Sequence, residues 1–202
     1  VKTITPEASM QEAAVVMGQR HIGSLIVVVG GEPTGIVTER DLLSKVIAAG
    51  LKAEEVRVRD VMSSPLMTVS PTATVKEAAQ TMLAKKGRLA VFDNSRLVGV
   101  ITASDLIRSM PAVEETLYPV DYVMTRRLET TIPSTAVERA AREMGRKRVG
   151  SLIVVRDGKP WGIFTERDLL TKVIAAGRDT RIRVEEVASA PLVTIRSGTS
   201  VH

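Results

Sequence analysis

The chain repeats itself, and that limits its folding more than any other feature. Gly23-Ser24-Leu25-Ile26-Val27-Val28 recurs as Gly150-Ser151-Leu152-Ile153-Val154-Val155, an offset of 150 − 23 = 127. Thr38-Glu39-Arg40-Asp41-Leu42-Leu43 and Lys45 to Gly50 recur at that same offset, as Thr165 to Leu170 and Lys172 to Gly177. A divergent copy lies between them, with Gly99-Val100-Ile101-Thr102-Ala103-Ser104-Asp105, so the aspartates at 41, 105 and 168 are 64 and 63 residues apart. A unit of that length buries its apolar face poorly alone, so the copies are expected to pack on one another.

Each copy reads as β-α-β-β-α. In the second, apolar Leu66 to Val69 precedes the cap Ser70-Pro71 and an amphipathic run from Val75 to Met82. A strand Leu89 to Phe92, turn residues Asp93-Asn94-Ser95, a strand Leu97 to Ile101 and a helix opening at Thr102 complete it. The first copy predicts a helix over Ser9 to Gln19, strands over Leu25 to Val29 and Gly35 to Val37, and a helix over Glu39 to Ala49. The third predicts the same over Ala136 to Lys147, Leu152 to Val155, Gly162 to Phe164 and Glu166 to Ala176. The fold class is α+β. The repeats are placed at 1–50, 56–110 and 119–177, with 183–202 as the opening of a truncated fourth, because Val184 to Ile195 mirrors the start of the second at 184 − 58 = 126. Val1 begins without a lead-in like Val58-Arg59-Asp60-Val61-Met62 or Val120-Asp121-Tyr122-Val123-Met124, so the natural chain is expected to extend further.

Composition narrows the chemistry. Cysteine is absent and the histidines are two, His21 and His202, which excludes disulfides, thiol nucleophiles and a zinc cage. Aromatics are 2%, too few for base-stacking platforms on single strands. No run approaches the ~20 apolar residues of a membrane-spanning helix and no signal-peptide pattern opens the chain, so a cytoplasmic protein without a membrane partner is expected. The net charge of +5 is C-terminal in origin: residues 1–50 carry 4 basic and 5 acidic side chains, 51–118 carry 9 and 8, and 119–202 carry 15 and 10. Arg126-Arg127, Arg142, Arg146-Lys147-Arg148, Arg178, Arg181 and Arg183 make up much of that excess. They read as a solvated helix face of a heat-adapted protein or, alternatively, as a polyanion site.

All three copies carry Gly, two apolar residues, Thr, two variable residues and Asp, ending at Asp41, Asp105 and Asp168. The element lies where a strand becomes a helix. A threonine N-cap with an aspartate in the first turn is a capping-box variant and needs no ligand. The same pair also suits a nucleotide: a helix N-terminus with a hydroxyl attracts phosphate, and a carboxylate accepts from ribose hydroxyls. Ile36, Val37, Val100 and Ile101 offer an apolar slot for a base, or ordinary strand core. His21 is matched by Arg148 and reads as a polar rim; Trp161 reads as capping a turn or a core edge. No nucleophile, base and orienting residue recur as a set, so no catalytic residue and no metal ligand is assigned, and the chain is read as not an enzyme.

The β-α-β-β-α order, the period near 63, the lead-in at Val58 to Met62 and the Gly-apolar-apolar-Thr-x-x-Asp element together resemble the cystathionine-β-synthase (CBS) domain family, of the prokaryotic or archaeal multi-repeat kind. The resemblance covers essentially the whole chain. It implies that two repeats associate through their sheets as a Bateman module, with clefts that receive AMP, ADP, ATP or S-adenosylmethionine, and it implies regulation without a required cofactor. On this resemblance Asp41, Asp105 and Asp168 hold ribose, and Thr38, Thr102 and Thr165 contact ribose or phosphate. Ile22 and Ser24, Lys86 and Arg88, and Val149 and Ser151 frame the base. Met62, Pro65 and Met67 line a wall, or are plain core. Arg40 and Arg167 neutralise phosphates, or are solvated helix cations.

Repeats 1 and 2 are expected to form one module. Repeat 3 is expected to need a partner from a fourth repeat or a second copy of the chain, so a homodimer follows as an expectation. The alternative function is a nucleic-acid-binding module using the arginine-rich C-terminal half, with steep salt dependence.

Overall fold

The computed structural model describes residues 1–85, 87–109 and 119–199; Lys86 and His202 lie outside the described residues. Each repeat forms a three-stranded sheet in which a short first strand runs parallel to the second and the second pairs antiparallel with the third. Repeat 1 contains β1 (Thr3–Ile4), α1 (Met10–Arg20), β2 (Ser24–Val29), β3 (Glu32–Thr38) and α2 (Glu39–Asp41). A π-helical turn, π1 (Leu42–Ile47), continues α2. After a short helix α3 (Val58–Val61), repeat 2 contains β4 (Thr68–Val69), α4 (Val75–Lys85), β5 (Leu89–Asp93), β6 (Arg96–Ile101) and α5 (Ala103–Ser109). Repeat 3 contains β7 (Thr130–Thr131), α6 (Val137–Lys147), β8 (Ser151–Arg156), β9 (Lys159–Thr165), α7 (Glu166–Asp168) and π2 (Leu169–Ile174). This is the mixed α+β architecture expected from the sequence.

The helix expected over Glu39 to Ala49 is α-helical only for its first turn. Ala48 N–H donates to Leu43 O at 2.8 Å and Ala175 N–H to Leu170 O at 2.8 Å, the five-residue spacing of a π-helix. The wider turn keeps Leu42, Leu43, Val46 and Ile47 all buried, as it does their counterparts in π2.

Repeats 1 and 3 share one core. Met10, Ala13, Ala14 and Met17 of α1 join Leu169, Leu170, Val173 and Ile174 of π2, and α6 meets π1 in the reciprocal arrangement. The helical face of repeat 3 is packed on repeat 1 of its own chain, whereas the partner expected in a fourth repeat or a second copy concerns its sheet face. The approach is close enough to require glycine. A Cβ on Gly145 of α6 would lie 2.4 Å from Ala48 Cβ, and one on Gly18 of α1 would lie 2.9 Å from Ala175 Cβ.

The lead-in at Val58 to Met62 and the segment from Val184 belong to the repeat before them, whereas Val120 N–H, in the lead-in to repeat 3, donates to Thr199 O. Val58 and Val61 are buried in the shared core, Met10 N–H donates to Val56 O, and Ile36 and Ser63 exchange backbone hydrogen bonds. Val184 and Val187 occupy the same place under repeat 3, where Ile163 and Ser189 exchange bonds. The motif glycine makes this crossing possible: a Cβ on Gly35 would lie 2.9 Å from Ser63 O, and one on Gly162 would lie 2.7 Å from Ser189 O.

The other sheet face differs between repeats. Ile26 is 1% exposed, Ile36 9% and Ala90 2%, so this face is buried at these positions of repeats 1 and 2, while Val100 of repeat 2 is half-buried. The equivalent Ile153 and Ile163 of repeat 3 are only half-buried. Repeat 2 keeps a small core of its own, Ala78, Met82, Leu89 and Leu106.

Candidate functional site

The three Thr-x-x-Asp elements all form capping boxes. Asp41 Oδ2 accepts from Thr38 N–H at 2.9 Å and from its hydroxyl at 2.6 Å, while Asp41 N–H donates to Thr38 Oγ1. Thr102 with Asp105 and Thr165 with Asp168 repeat that geometry. The capping role that the spacing permitted is therefore present in every copy, and any ligand must use what capping leaves over.

What is left over differs. A carboxylate has about four accepting sites. In repeat 3, Asp168 Oδ1 accepts from Lys172 Nζ at 2.6 Å and from Ser189 Oγ at 2.9 Å, which fills the set. In repeat 1, Asp41 Oδ1 meets Lys45 Nζ at 2.8 Å, and one site remains. In repeat 2 the residue four positions on is Ser109 rather than lysine, and Asp105 is exposed. Its pKa is held below the ordinary aspartate value by the Thr102 hydroxyl and then the Thr102 N–H. Asp105 is thus ionised and the most available of the three; Asp168 is the least.

One cavity of about 710 Å³ lies where the corners of repeats 1 and 2 face each other. It brings together Thr38, Arg40 and Asp41, the wall residues Met62, Pro65 and Met67, and Arg88 and Thr102 of repeat 2. Pro65 follows a cis peptide bond at Ser64. Of the other residues expected at a site, Ile22 and Ser24 flank Gly23 at the rim, where a Cβ would lie 2.7 Å from Glu39 Oε1 and 3.0 Å from Arg88 Nη2. Asp105 adjoins lining residue Ser104 without itself lining the cavity. Thr165, Asp168, Val149 and Ser151 of repeat 3 do not line this cavity, and Arg167 lines a separate shallow groove beside α1. Lys86 lies outside the described residues.

Several lining residues escaped the sequence reading, among them Glu39, Glu166, Ser63, Ser64 and Ser104. Glu39 and Glu166 change the roles expected of the arginines. Arg40 Nη2 lies 2.9 Å from Glu166 Oε1, and Arg167 Nε lies 3.0 Å from Glu39 Oε2, so each repeat's arginine meets the other repeat's glutamate. Neither cation is a free phosphate ligand or a simply solvated helix residue. Arg88 Nη2 stands 4.0 Å from Glu39 Oε1, and burial lowers its pKa despite the carboxylates nearby. Burial is also the largest influence on Glu166, whose pKa is raised, with Glu39 and Asp41 adding to the rise against Arg40 and Arg88. The signal was in the sequence: Glu-Arg stands at 39–40 and 166–167 but Ala-Ser at 103–104, so the charge belongs to the two repeats that share a core.

A family model described as CBS domain matches residues 1–48, 58–112 and 120–175. Protein MK0525 of Methanopyrus kandleri is 38% identical over 120 residues, 58% of this chain and 61% of its own length. The CBS domain-containing protein YhcV of Bacillus subtilis is 34% identical over 107 residues, 52% of this chain and 76% of its own. The chain spans 59 to 63% of the length of three archaeal relatives, MK0525 among them. The crystal structure of protein MJ1225 from Methanocaldococcus jannaschii superposes with a TM-score of 0.80 at 24% identity, covering 99% of this chain and 82% of that one, a likeness of fold. Three matched repeats with this β-α-β-β-α build place the chain in the CBS-domain family.

Proposed function

We propose that the chain is a ligand-sensing regulatory module that receives an adenosine-containing nucleotide (AMP, ADP, ATP or S-adenosylmethionine) in the cavity between repeats 1 and 2. One observation carries this reading: the corners of both repeats line a single cavity, with an apolar wall of Ile36, Met62, Pro65 and Met67 on one side and Arg88 on the other. The wall suits a base, the guanidinium suits a phosphate, and the free site on Asp41 suits a ribose hydroxyl, with Asp105 beside lining residue Ser104 the next acceptor a ribose could meet. The buried outer faces at Ile26, Ile36 and Ala90 support repeats 1 and 2 pairing through their sheets. A ligand held at that junction contacts groups from repeats 1, 2 and 3 and so biases their packing. The half-buried outer face at Ile153 and Ile163 supports pairing of repeat 3 with a further copy of the fold, in a homodimer or otherwise.

The nucleic-acid alternative is not favoured. Arg142, Arg146, Arg178 and Arg181 lie 2.5 to 3.1 Å from Glu138, Glu143, Glu186 and Asp179, so carboxylates are interleaved with the basic surface. Among the described residues no helix is long and apolar enough to cross a membrane.

Calorimetric titration with the four adenosyl ligands tests the reading. Binding of at least one is expected. Arg88→Ala and Asp105→Asn should each weaken it about tenfold or more, the loss of one charged hydrogen bond. Asp168→Asn should leave affinity unchanged. Failure of all four ligands to bind, or equal loss at Asp168, would refute it.

A further inference from the structure

The strongest charged feature not explained by the fold is the crossed set at the repeat 1–repeat 3 boundary. Glu39 and Glu166 occupy equivalent first positions of α2 and α7, and their side chains are only 17% and 13% exposed. The oxygens that meet arginine, Glu39 Oε2 and Glu166 Oε1, are buried and fall outside hydrogen-bond geometry with any described donor. They are held by charge alone. A buried carboxylate stripped of its cation is costly, so these pairs resist separation.

The facing charges can be matched one by one. Asp41 is paired with Lys45, Glu166 with Arg40, and Glu39 with Arg167. Among the described residues lining the cavity, Arg88, 4.0 Å from an already paired Glu39, is the one cation with no carboxylate of its own. The corner of repeat 2 adds none, having Ala103-Ser104 where the other repeats have Glu-Arg.

We infer that Glu39 and Glu166 make the cavity selective for a ligand with one phosphate-sized anionic group over a polyphosphate, by holding Arg167 and Arg40 across the repeat boundary. This rests on the nucleotide reading above and adds the rule of selection. One phosphate is met by Arg88 without breaking any ion pair. A second or third must draw Arg40 away from buried Glu166, which also loosens the contact between repeats 1 and 3. The selection depends on pH, because burial already favours the neutral form of Glu166 among its neighbours Arg40, Glu39, Arg88 and Asp41. Protonating Glu166 releases Arg40, and polyphosphate gains relative to monophosphate as the pH falls.

The test measures affinities for AMP and ATP in magnesium-free buffer, for the unaltered chain, Glu166→Gln and Glu39→Gln/Glu166→Gln. The unaltered chain should bind AMP about tenfold or more tightly than ATP, and the double variant should narrow that ratio by about tenfold. Lowering the pH from neutrality towards the ordinary carboxylate range should narrow it in the unaltered chain but not in Glu166→Gln. ATP binding as tightly as AMP in the unaltered chain, or an unchanged ratio in the variants, would overturn the inference. Should neither nucleotide bind, thermal-shift titration with inorganic phosphate and tripolyphosphate separates the two ideas. Preference for phosphate, reversed in the double variant, keeps the selection rule while the adenosine reading falls; the same order in both proteins sinks the rule as well.

Discussion

Gly145→Ala should destabilise the chain, although it places the best helix former in the middle of α6. In an isolated helix the change is worth about 1 kcal/mol of added stability. Here the new Cβ would lie 2.4 Å from Ala48 Cβ, whereas carbon atoms at rest stay about 3.5–4.0 Å apart. The missing distance is over 1 Å, and the obstacle is the first atom of a side chain that cannot rotate away. Either α6 or π1 must shift, loosening Met144 and Val46 in the shared core. Overpacking of this kind costs about 1–3 kcal/mol. Since the full shift is needed, we take the upper part of that range, which leaves a net loss of about 1–2 kcal/mol after the helix gain. For a chain of this length that is roughly a 2–8 °C fall in Tm. Thermal and urea denaturation of Gly145→Ala, Ala48→Gly and the double variant measure it. The double variant should show a favourable coupling of about 1 kcal/mol or more, because removing the Ala48 methyl makes room for the new one. A rise in Tm for Gly145→Ala, or simple additivity in the double variant, would refute the argument from close approach.

Other expectations are independent of that contact. Asp168→Ala removes a helix cap and leaves Lys172 without its carboxylate, so it should cost about 2 kcal/mol in urea denaturation, against at most about 1 for exposed Asp105→Ala. Val58→Ala should cost about 2 kcal/mol because that lead-in side chain is fully buried in the core of repeats 1 and 3; a loss below about 0.5 would contradict the assignment. Amide hydrogen exchange should be faster in α4 and β5 than in α1 and α6, since repeat 2 has the smaller core. The pH dependence has two opposed parts. The Glu166 pKa is raised, so folding gains as the pH falls from neutrality through that value; Glu143 and Asp179, lowered to about 2 by Arg146 and Arg181, contribute stability that is lost as the pH falls from the ordinary carboxylate range towards about 2. Urea midpoints across pH should therefore rise slightly on mild acidification and then fall, and Glu166→Gln should abolish the rise while keeping the fall.

Much of the fold was legible because its signals are local. Strand alternation, the Thr38 cap, the turn at Asp93-Asn94-Ser95 and the 127-residue offset are properties of neighbouring or identical residues, and they produced the right elements in the right order. The Thr-x-x-Asp pairs were also legible, but as two roles at once. Whether a carboxylate has a lone pair to spare depends on Lys45, Lys172 and Ser189, and Ser189 reaches Asp168 only because the lead-in crosses the sheet.

By itself the sequence determined a three-fold series of β-α-β-β-α units of the CBS type and located a hydroxyl and a carboxylate at each corner. Only the tertiary structure decided which units share a core, that Arg40 and Arg167 are held by glutamates 126 and 128 residues away, and which corners open on a cavity. The physical reason is that like units present nearly the same faces to one another. Which faces meet is settled by distant contacts, such as glycine against alanine or glutamate against arginine, whose effect on packing no local pattern records.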